Sequence, residues 1–324
     1  MITGGAGYVG SHLTAALLDR GADCVVVDNL STGHAAAVLT GARLVVGDLA
    51  DSELLDRLLA EGPWNAVFHF ASLSIVGDSM REPLLYLREN VGNGMKLIES
   101  CIRHGVERFV FSSTAALFGK TAQNPIDESA EIDPGSTYGE SKWAIERALL
   151  WADRVHGLRS ACLRYFNAAG CDPAGRLGEY HDPETHLIPL VIDAALGRRP
   201  YVEVFGRDYA TPDGTCIRDY VHVSDLADAH IRVLEPLDRG SVRYNLGTGV
   251  GHSVLEVITA VERVSGSPVP VRIVGRRQGD PAVLVASSAA IARETGWQPK
   301  ITELDRLIET SLQWRISRPR GYSS

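Results

Sequence analysis

The sequence of 324 residues contains no apolar run close to the roughly 20 residues that a membrane-spanning helix requires. Its first ten residues have neither the basic region nor the apolar core of a secretory signal peptide. The formal net charge of −8 disfavours nucleic acid and anionic membranes as partners, although it leaves room for a local basic pocket. The five cysteines are odd in number and form no CxxC pair, so we expect reduced thiols and a cytoplasmic location.

Patterns of metal ligands are also missing. His181, Glu184 and His186 have the side chains of a metal site, but their spacing matches neither HExxH nor another zinc pattern. We therefore predict no metal site. Hydrophobic residues make up 45% and charged residues 22% of the sequence, which is ordinary for a globular enzyme of about two domains.

The first half of the sequence alternates short apolar segments with longer segments of helical spacing. Strands are predicted at residues 24–27, 43–46, 66–70, 108–112 and 161–165. Helices are predicted at residues 9–20, 52–61, 84–104 and 138–156. This alternation indicates an α/β fold with a doubly wound parallel sheet that helices cover on both faces. Only three residues precede the first glycine, so the first strand is short or begins upstream of this sequence.

After Phe166 the regular alternation ends, and residues 167–189 are polar and rich in Gly, Pro and His. Short strands are predicted beyond them at residues 202–205, 221–223, 243–246 and 269–274, with helices at 187–196, 223–234, 254–264 and 302–314. We therefore predict a cofactor-binding domain over residues 1–166 and a smaller α/β substrate-binding domain over residues 167–324. The boundary is soft, because some later segments are expected to return to the first domain.

A glycine-rich loop with Gly4, Gly7 and Gly10 joins the first predicted strand to a helix. In a Rossmann-like dinucleotide site, these glycines permit a tight turn, let the backbone approach a pyrophosphate, and let the helix pack on the sheet. Asp28 ends the second predicted strand, where a carboxylate binds the adenosine ribose and repels a 2′-phosphate. The pattern predicts NAD as cofactor. Asp48 ends the next strand, where it either reaches the adenine or caps a helix.

A second constellation combines Thr114, at the end of a predicted strand, with Tyr138 and Lys142. A tyrosine and a lysine four residues apart lie on one face of a helix. A nearby ammonium group and a cationic nicotinamide ring both stabilise a phenolate, so Tyr138 can remove a hydroxyl proton while hydride leaves the same carbon. Thr114 can hydrogen-bond that oxygen, and Lys142 can also hold the nicotinamide ribose. The alternative for the YxxxK pattern by itself is a solvated helix face.

These motifs and several others together resemble the extended short-chain dehydrogenase/reductases. The matching segments are TGGAGYVG, DNLS, FSSTAALFG, YGESK, RYFN, RDYVHV, NLGTG and RQGD. Among them the sequence is identified as a member of the NAD-dependent epimerase/dehydratase family, over nearly its whole length. The resemblance implies that NAD takes a hydride from C4 of a UDP-hexose and returns it to the other face of a transient 4-keto sugar. Similar dehydratases carry an Asp-Glu pair where Ala115 and Ala116 stand, so epimerisation is expected rather than elimination.

The resemblance also implies the remaining binding residues. Cofactor contacts are expected from Tyr8, Val9, Asn29, Ser31, Thr32, Gly33, Asp48, Leu49, Phe70, Ala71, Ser74, Tyr138, Lys142, Tyr165 and Phe166. Contacts to the UDP-sugar are expected from Thr114, Tyr138, Asn167, His186, Leu187, Arg218, Tyr220, Arg277, Asp280 and Leu284. Two arginines can clamp a diphosphate, and a carboxylate can accept from ribose hydroxyls. Some relatives place a cofactor-contacting lysine where Ser74 stands in this sequence.

Substrate choice and partners are less determined. Relatives with a bulky tyrosine in place of Leu284 exclude N-acetyl sugars, so UDP-GlcNAc and UDP-GalNAc are expected to be accepted at least in part. A UDP-uronic acid 4-epimerase and a non-catalytic NAD-binding regulator of the same fold remain alternatives, although such regulators typically lose the tyrosine or lysine. Trp143 and Trp151 lie on the Tyr138 helix, where core packing is the default explanation. The resemblance implies a homodimer through this helix and residues 84–104.

Overall fold

The structure is a computed structural model that describes residues 1–119, 123–277 and 280–322. Its first part alternates strands and helices, as the sequence predicts. In chain order these are β1 (Ile2–Thr3), α1 (Tyr8–Leu18), β2 (Cys24–Asp28), β3 (Ala42–Val46), α2 (Ser52–Leu59), β4 (Val67–His69), α3 (Val76–Arg81), α4 (Pro83–Tyr86), α5 (Asn93–Arg103), β5 (Arg108–Thr114), α6 (Thr137–His156) and β6 (Arg159–Tyr165).

The second part is less regular and contains shorter strands. Its elements are β7 (Asn167–Ala169), α7 (Leu187–Ala195), β8 (Val202–Phe205), β9 (Ile217–His222), α8 (Val223–Arg232), β10 (Val242–Leu246), β11 (Gly251–Ser253), α9 (Val254–Ser265), β12 (Val271–Val274), β13 (Val283–Leu284), α10 (Ala289–Thr295) and α11 (Leu304–Ser317). The strand predicted at residues 221–223 is wrong in extent, because it begins at Ile217. β7, β11, β13 and α10 have no counterpart in the prediction.

A parallel sheet of seven strands, in the order β10-β6-β5-β4-β1-β2-β3, forms the centre of the molecule. The predicted α/β fold with a Rossmann-like sheet is therefore confirmed. β1 pairs with β2 on one side and with β4 on the other, so the strand order reverses there. In open α/β sheets a ligand binds in the crevice at such a reversal, at the carboxyl ends of the strands.

The core lies on both faces of this sheet. Along β5, Phe109 and Phe111 belong to one apolar cluster and Val110 belongs to another on the opposite face, as the alternation of a strand requires. The first cluster includes Leu97 of α5 and Leu149 of α6. Burial on both faces explains the continuous apolar composition of the predicted strands. A third cluster packs α7, α9 and α11 of the second part together.

Residues after 166 contribute to both parts of the molecule. β10 pairs with β6 in the central sheet, and α8 packs against α1. A smaller sheet joins β11, β9 and β13, and β7 pairs with β9 beside it. This arrangement is compatible with a soft boundary, and the division at residue 166 stays a prediction.

The segment predicted as one helix over residues 84–104 is helical throughout residues 83–103, and it contains a π-helical turn that the spacing does not predict. α4 ends at Tyr86, a π-helical turn covers Leu87–Gly92, and α5 follows. The turn brings the buried side chain of Asn90 inward, where its Oδ1 accepts from the Leu73 N–H at 2.8 Å and its Nδ2 donates to Ser141 Oγ at 3.0 Å. Such turns are frequent at functional sites. Among the described residues, no helix is both long and apolar enough to cross a membrane.

Candidate active site

The glycine loop lies between β1 and α1, at the reversal of the strand order. A Cβ on Gly4, whose φ is +71°, would lie 2.4 Å from the backbone nitrogen of Ala71, and one on Gly10 would lie 2.3 Å from the Gly4 oxygen. A Cβ on Gly7 would meet only the Gly4 oxygen, at 3.3 Å. Packing therefore requires the first and third glycines. The open space at Gly7 fits the approach of a pyrophosphate to the backbone and to the N-terminus of α1.

Asp28 holds the loop and the following turn at the end of β2. Its Oδ2 accepts from the Ala6 N–H and its Oδ1 from the Leu30 N–H, both at 2.9 Å. Leu30 has a φ of 59°, in the left-handed region that non-glycine residues rarely adopt. Each carboxylate oxygen retains a further lone pair, so the predicted bonds to ribose hydroxyls remain available. A Cβ on Gly33 would lie 2.8 Å from Asp28 Oδ1, which explains a glycine there.

Asp48 is held by local hydrogen bonds beside this site. Its Oδ1 accepts from the Ala50 N–H and its Oδ2 from Asn29 Nδ2, both at 2.8 Å. These bonds, that of Ala50 first, hold the pKa of Asp48 below its usual value. The cap of α2 is Asp51, which accepts from the Leu54 N–H at 3.0 Å. Asp51, and not Asp48, therefore caps α2, which removes the helix cap from the two alternatives for Asp48.

The other predicted cofactor residues lie at the same edge of the sheet. They follow β2 and β3 (Ser31, Thr32, Leu49), begin α1 (Tyr8, Val9), follow β4 (Phe70, Ala71, Ser74), or end and follow β6 (Tyr165, Phe166). The Tyr8 hydroxyl donates to the Gly170 carbonyl in the second part of the molecule. Ser74 is exposed.

Thr114, Tyr138 and Lys142 meet where β5 ends and α6 begins. Thr114 is the last residue of β5, and its Oγ1 accepts from the Ala116 N–H at 3.1 Å. Tyr138 lies in the first turn of α6, and Lys142 Nζ is 5.7 Å from the centre of the Tyr138 ring. A Cβ on Gly139 would lie 2.6 Å from the Ala116 oxygen. This close approach of α6 to the turn after β5 brings the phenol to the threonine.

The electrostatics of this group match a base that needs a bound cation. Burial raises the pKa of Tyr138 to about 12, although its hydrogen bond with Thr114 acts in the opposite direction. Burial lowers the pKa of Lys142 to about 7. The phenol therefore keeps its proton at neutral pH in the protein alone. A positive nicotinamide ring beside the phenol would lower its pKa toward the range that a general base requires.

The protein itself orients Lys142. Its Nζ donates to Ser72 Oγ at 2.8 Å and to the Ser112 carbonyl oxygen at 2.9 Å, and the residue is 2% exposed. Ser72 was missed by the sequence analysis because it belongs to no motif. Its only signal is its position just after β4, at the edge where ligands bind.

A buried ion pair lies beneath Thr114, Tyr138 and Lys142, and the sequence analysis also missed it. Glu146, one turn beyond Lys142 on α6, accepts from Arg164 Nε at 2.9 Å and Nη2 at 2.6 Å, and from Ser113 Oγ at 2.5 Å. The side chains of Glu146 and Arg164 are 0% and 2% exposed. The pair ties α6, β5 and β6 together. A signal was present in the sequence, since Glu146 continues the four-residue spacing of Tyr138 and Lys142.

On the substrate side, β9 brings four predicted residues together. Tyr220 pairs with Asn167 of β7, and Arg218 pairs with Leu284 of β13. Arg218 Nη2 also donates to Asp280 Oδ1 at 3.2 Å. The residues expected to hold the diphosphate and the ribose therefore bond to each other across this sheet.

Asp219 alternates with those residues and is fully buried. Its carboxylate accepts from the backbone N–H groups of Thr248 at 2.8 Å, Gly249 at 3.0 Å and Ala286 at 3.1 Å. The first two bonds connect the RDYVHV motif, which contains Asp219, to the NLGTG motif, which contains Thr248 and Gly249. Asp219 positions the loop after β10.

Three further predicted substrate residues lie in other segments. Arg277 places its Cζ 4.3 Å from the centre of the Phe205 ring, while Gln278 and Gly279 of the RQGD motif lie outside the described residues. His186 directly precedes Leu187, the first residue of α7, and its Nδ1 hydrogen-bonds the carboxylate of Glu179. Burial acts to lower the pKa of His186, but the charge of Glu179 outweighs it and raises the pKa to about 9.

The chain is similar to known proteins of one family. Residues 1–247 match the model of the NAD dependent epimerase/dehydratase family. A UDP-glucose 4-epimerase of Halalkalibacterium halodurans is 47% identical over 326 residues, with 100% of this chain and 97% of that relative covered. A crystal structure of a UDP-glucose 4-epimerase is 46% identical with a TM-score of 0.96, covering 100% and 99% of the two chains.

A second solved structure carries ligands. It is the UDP-glucose 4-epimerase from Bifidobacterium longum in complex with NAD⁺ and UDP, which is 36% identical with a TM-score of 0.94 and covers 99% and 98% of the two chains. Sequence identity at this level over the full length of the chain shows that it shares a family, and not only a fold, with these proteins. The chain belongs to the NAD-dependent epimerase/dehydratase family, as its motifs predict.

Proposed function

We propose that this protein inverts C4 of a UDP-hexose, with UDP-glucose and UDP-galactose as the first substrates to test. The observation that carries the proposal is the group of Thr114, Tyr138 and Lys142 at the edge of the sheet that also holds the glycine loop. Relatives named UDP-glucose 4-epimerase, one of them in complex with NAD⁺ and UDP, support it.

The chemistry divides between cofactor and chain. When bound, NAD supplies a reversible acceptor for the hydride on C4. Tyr138 takes the proton from the O4 hydroxyl and returns it, while Thr114 hydrogen-bonds the same oxygen. Lys142 stabilises the phenolate through its charge. The turn after β5 carries Ala115 and Ala116, so no acid stands there to drive elimination from the 4-keto sugar.

The nucleotide is anchored on the β9 side of the crevice. Arg218 and Arg277 would neutralise the diphosphate, and Asp280 would accept from the ribose hydroxyls. The ion pair between Arg218 and Asp280 holds both side chains in place before a ligand arrives. Asn167 and Tyr220 complete this side of the site.

Leu284 is the residue we propose to set sugar size. It packs against the apolar cluster that contains Ala115 and Phe166. A leucine is smaller than the tyrosine that excludes N-acetyl sugars in some relatives, so UDP-GlcNAc and UDP-GalNAc should be accepted in part.

We also propose a homodimer in the cytoplasm. On α6, Trp151 and Val155 are 55% and 65% exposed, and the neighbouring Leu84 of α4 is 75% exposed. An exposed apolar stripe of this kind suits a second copy of the chain. All five cysteines are free, which is usual in a reducing compartment. A dimer mass in light scattering is the expected result.

The test is incubation of the purified protein with UDP-Glc, UDP-GlcNAc and UDP-GlcA in separate reactions, without added NAD, followed by NMR of C4. Inversion of UDP-Glc is expected, with partial conversion of UDP-GlcNAc. Tyr138→Phe should keep bound NAD and lose about 10²–10⁴-fold in turnover. Unchanged turnover in this variant would contradict the role of the phenol. Conversion of UDP-GlcA alone would replace the proposed substrate by the uronic acid.

A further inference from the structure

A cluster of four side chains lies outside the catalytic group, in the segment before α7. Glu179, His181, Glu184 and His186 each offer one nitrogen or oxygen atom, and these atoms all lie within 4.8 Å of one another. We propose that this cluster binds a divalent transition metal of the zinc class. The spacing in the sequence matches no zinc pattern, and Glu179, two residues before His181, completes the cluster.

The separations suit a small ion at the centre. A tetrahedral zinc ion with bonds of about 2.0–2.1 Å holds its ligand atoms roughly 3.3–3.4 Å apart. His181 Nδ1 lies 3.2 Å from Glu184 Oε1 and 3.8 Å from Glu179 Oε1. The Nδ1 of His186 contacts the same oxygen of Glu179, and the two imidazole rings are 5.0 Å apart. The two separations measured from His181 Nδ1 therefore bracket the spacing of a tetrahedral site.

The donor set selects the class of metal. Two imidazole nitrogens and two carboxylate oxygens suit zinc and its neighbours, whereas magnesium and calcium prefer sites made of oxygen alone. No cysteine is part of the cluster. A site with four protein ligands is closed, which is typical of a structural rather than a catalytic ion.

Burial and charge give a reason for a cation here. The side chains of Glu179 and Glu184 are only 3% and 8% exposed. In the described part of the chain, Glu184 Oε2 accepts no hydrogen bond, and the nearest cation is Arg315 Nη1 at 3.7 Å. Arg315 instead forms a bidentate pair with Asp193. The guanidinium of Arg315 is thus shared between Glu184 and Asp193, and a divalent ion would supply further positive charge to the two buried glutamates.

The position of the cluster indicates what a metal would do. The His181 ring packs edge-on against the Tyr8 ring of α1, with 6.3 Å between their centres. His186 precedes Leu187 at the start of α7. An ion would fasten the turn before α7 close to the glycine loop. The Nε2 of His186 remains free to donate toward a diphosphate.

The experiment uses the full chain without a histidine tag, because a tag binds zinc itself. After dialysis against a chelator, Zn²⁺ is titrated in by calorimetry and the bound metal is counted by mass spectrometry. Co²⁺ is used in parallel, because its visible absorption distinguishes a tetrahedral site from the hydrated ion. No nucleotide is present, so the result is independent of the proposed epimerase activity.

The variant is His181→Gln, and the matched control is His156→Gln, which removes an exposed histidine of α6. The parent and the control should each bind one Zn²⁺ per chain, with the intense Co²⁺ spectrum of a tetrahedral site. His181→Gln should bind at least about 100-fold more weakly, since removal of groups that merely support a ligand already costs 10–100-fold. Equal affinity in all three proteins overturns the proposal. A parent that leaves Co²⁺ with the spectrum of the hydrated ion overturns it without any variant.

Discussion

Replacement of Glu146 by glutamine tests whether the buried ion pair between Glu146 and Arg164 stabilises the fold. The carboxylate accepts three hydrogen bonds, two from Arg164 and one from Ser113. An amide of the same shape removes the charge and points a donor at the guanidinium. Because Arg164 is only 2% exposed, its charge would remain buried without compensation. Breaking such a pair costs about 3–5 kcal/mol of unfolding free energy.

The assay is urea unfolding of four proteins at one protein concentration: the parent, Glu146→Gln, Arg164→Met and the double variant. Glu146→Gln leaves the buried charge of Arg164, and Arg164→Met leaves that of Glu146 with Arg243 Nε, at 3.5 Å, as its cationic partner, whereas the double variant removes both buried charges. The double variant should therefore be more stable than the sum of the single losses predicts, by about 1–3 kcal/mol. The turnover of Glu146→Gln should also fall, because Ser113 and α6 position Thr114 and Tyr138.

Two results would refute this reasoning. A Glu146→Gln variant within about 1 kcal/mol of the parent would mean that the pair contributes little to stability. Single losses that add without a coupling energy would mean that Glu146 and Arg164 act independently. A loss of turnover without a loss of stability would assign the pair to positioning alone.

Three further predictions concern the cofactor loop, the lysine and the sugar pocket. Gly7→Ala should lose bound NAD, read by absorbance, while its unfolding free energy stays within about 1 kcal/mol of that of the NAD-free parent. Gly10→Ala should instead destabilise the fold, since its Cβ would lie 2.3 Å from the Gly4 oxygen. Burial lowers the pKa of Lys142 to about 7, whereas the pKa of an unfolded lysine is about 10.4. Between pH 7 and pH 9 the NAD-free protein should therefore gain about 2 kcal/mol of unfolding free energy relative to Lys142→Met. Equal pH profiles of the two proteins in urea unfolding would contradict this. Leu284→Tyr should retain turnover of UDP-galactose and abolish that of UDP-GlcNAc in the NMR assay; equal loss of both would show that Leu284 does not set sugar size.

The sequence predicted the parts of the site that depend on local spacing. Gly4, Gly7 and Gly10 act within one turn, and Tyr138 and Lys142 are neighbours on one helix, so their relation is visible in a few letters. The π-helical turn at Leu87–Gly92 was not visible, because its apolar spacing over two turns is close to that of an α-helix.

Partners that are distant in the sequence were the main omissions. Ser72 meets Lys142 across 70 residues, and Asn90 meets Ser141 across 51. Neither contact belongs to a sequence motif, because the two partners are brought together only by the folded chain and have no fixed spacing in the sequence. The residues on β9 were found through the family resemblance, and the structure supplies the reason for their grouping in the pairing of Arg218 with Leu284.

The place of β10 has a consequence for how proteins of this kind can change by recombination. β10 covers the outer side of β6, whose Ala161 and Leu163 are fully buried. A chain that ended at Phe166 would expose β6 as an apolar edge strand, a surface on which proteins aggregate. A replacement for the second half must therefore bring its own strand to pair with β6 and close this side of the sheet.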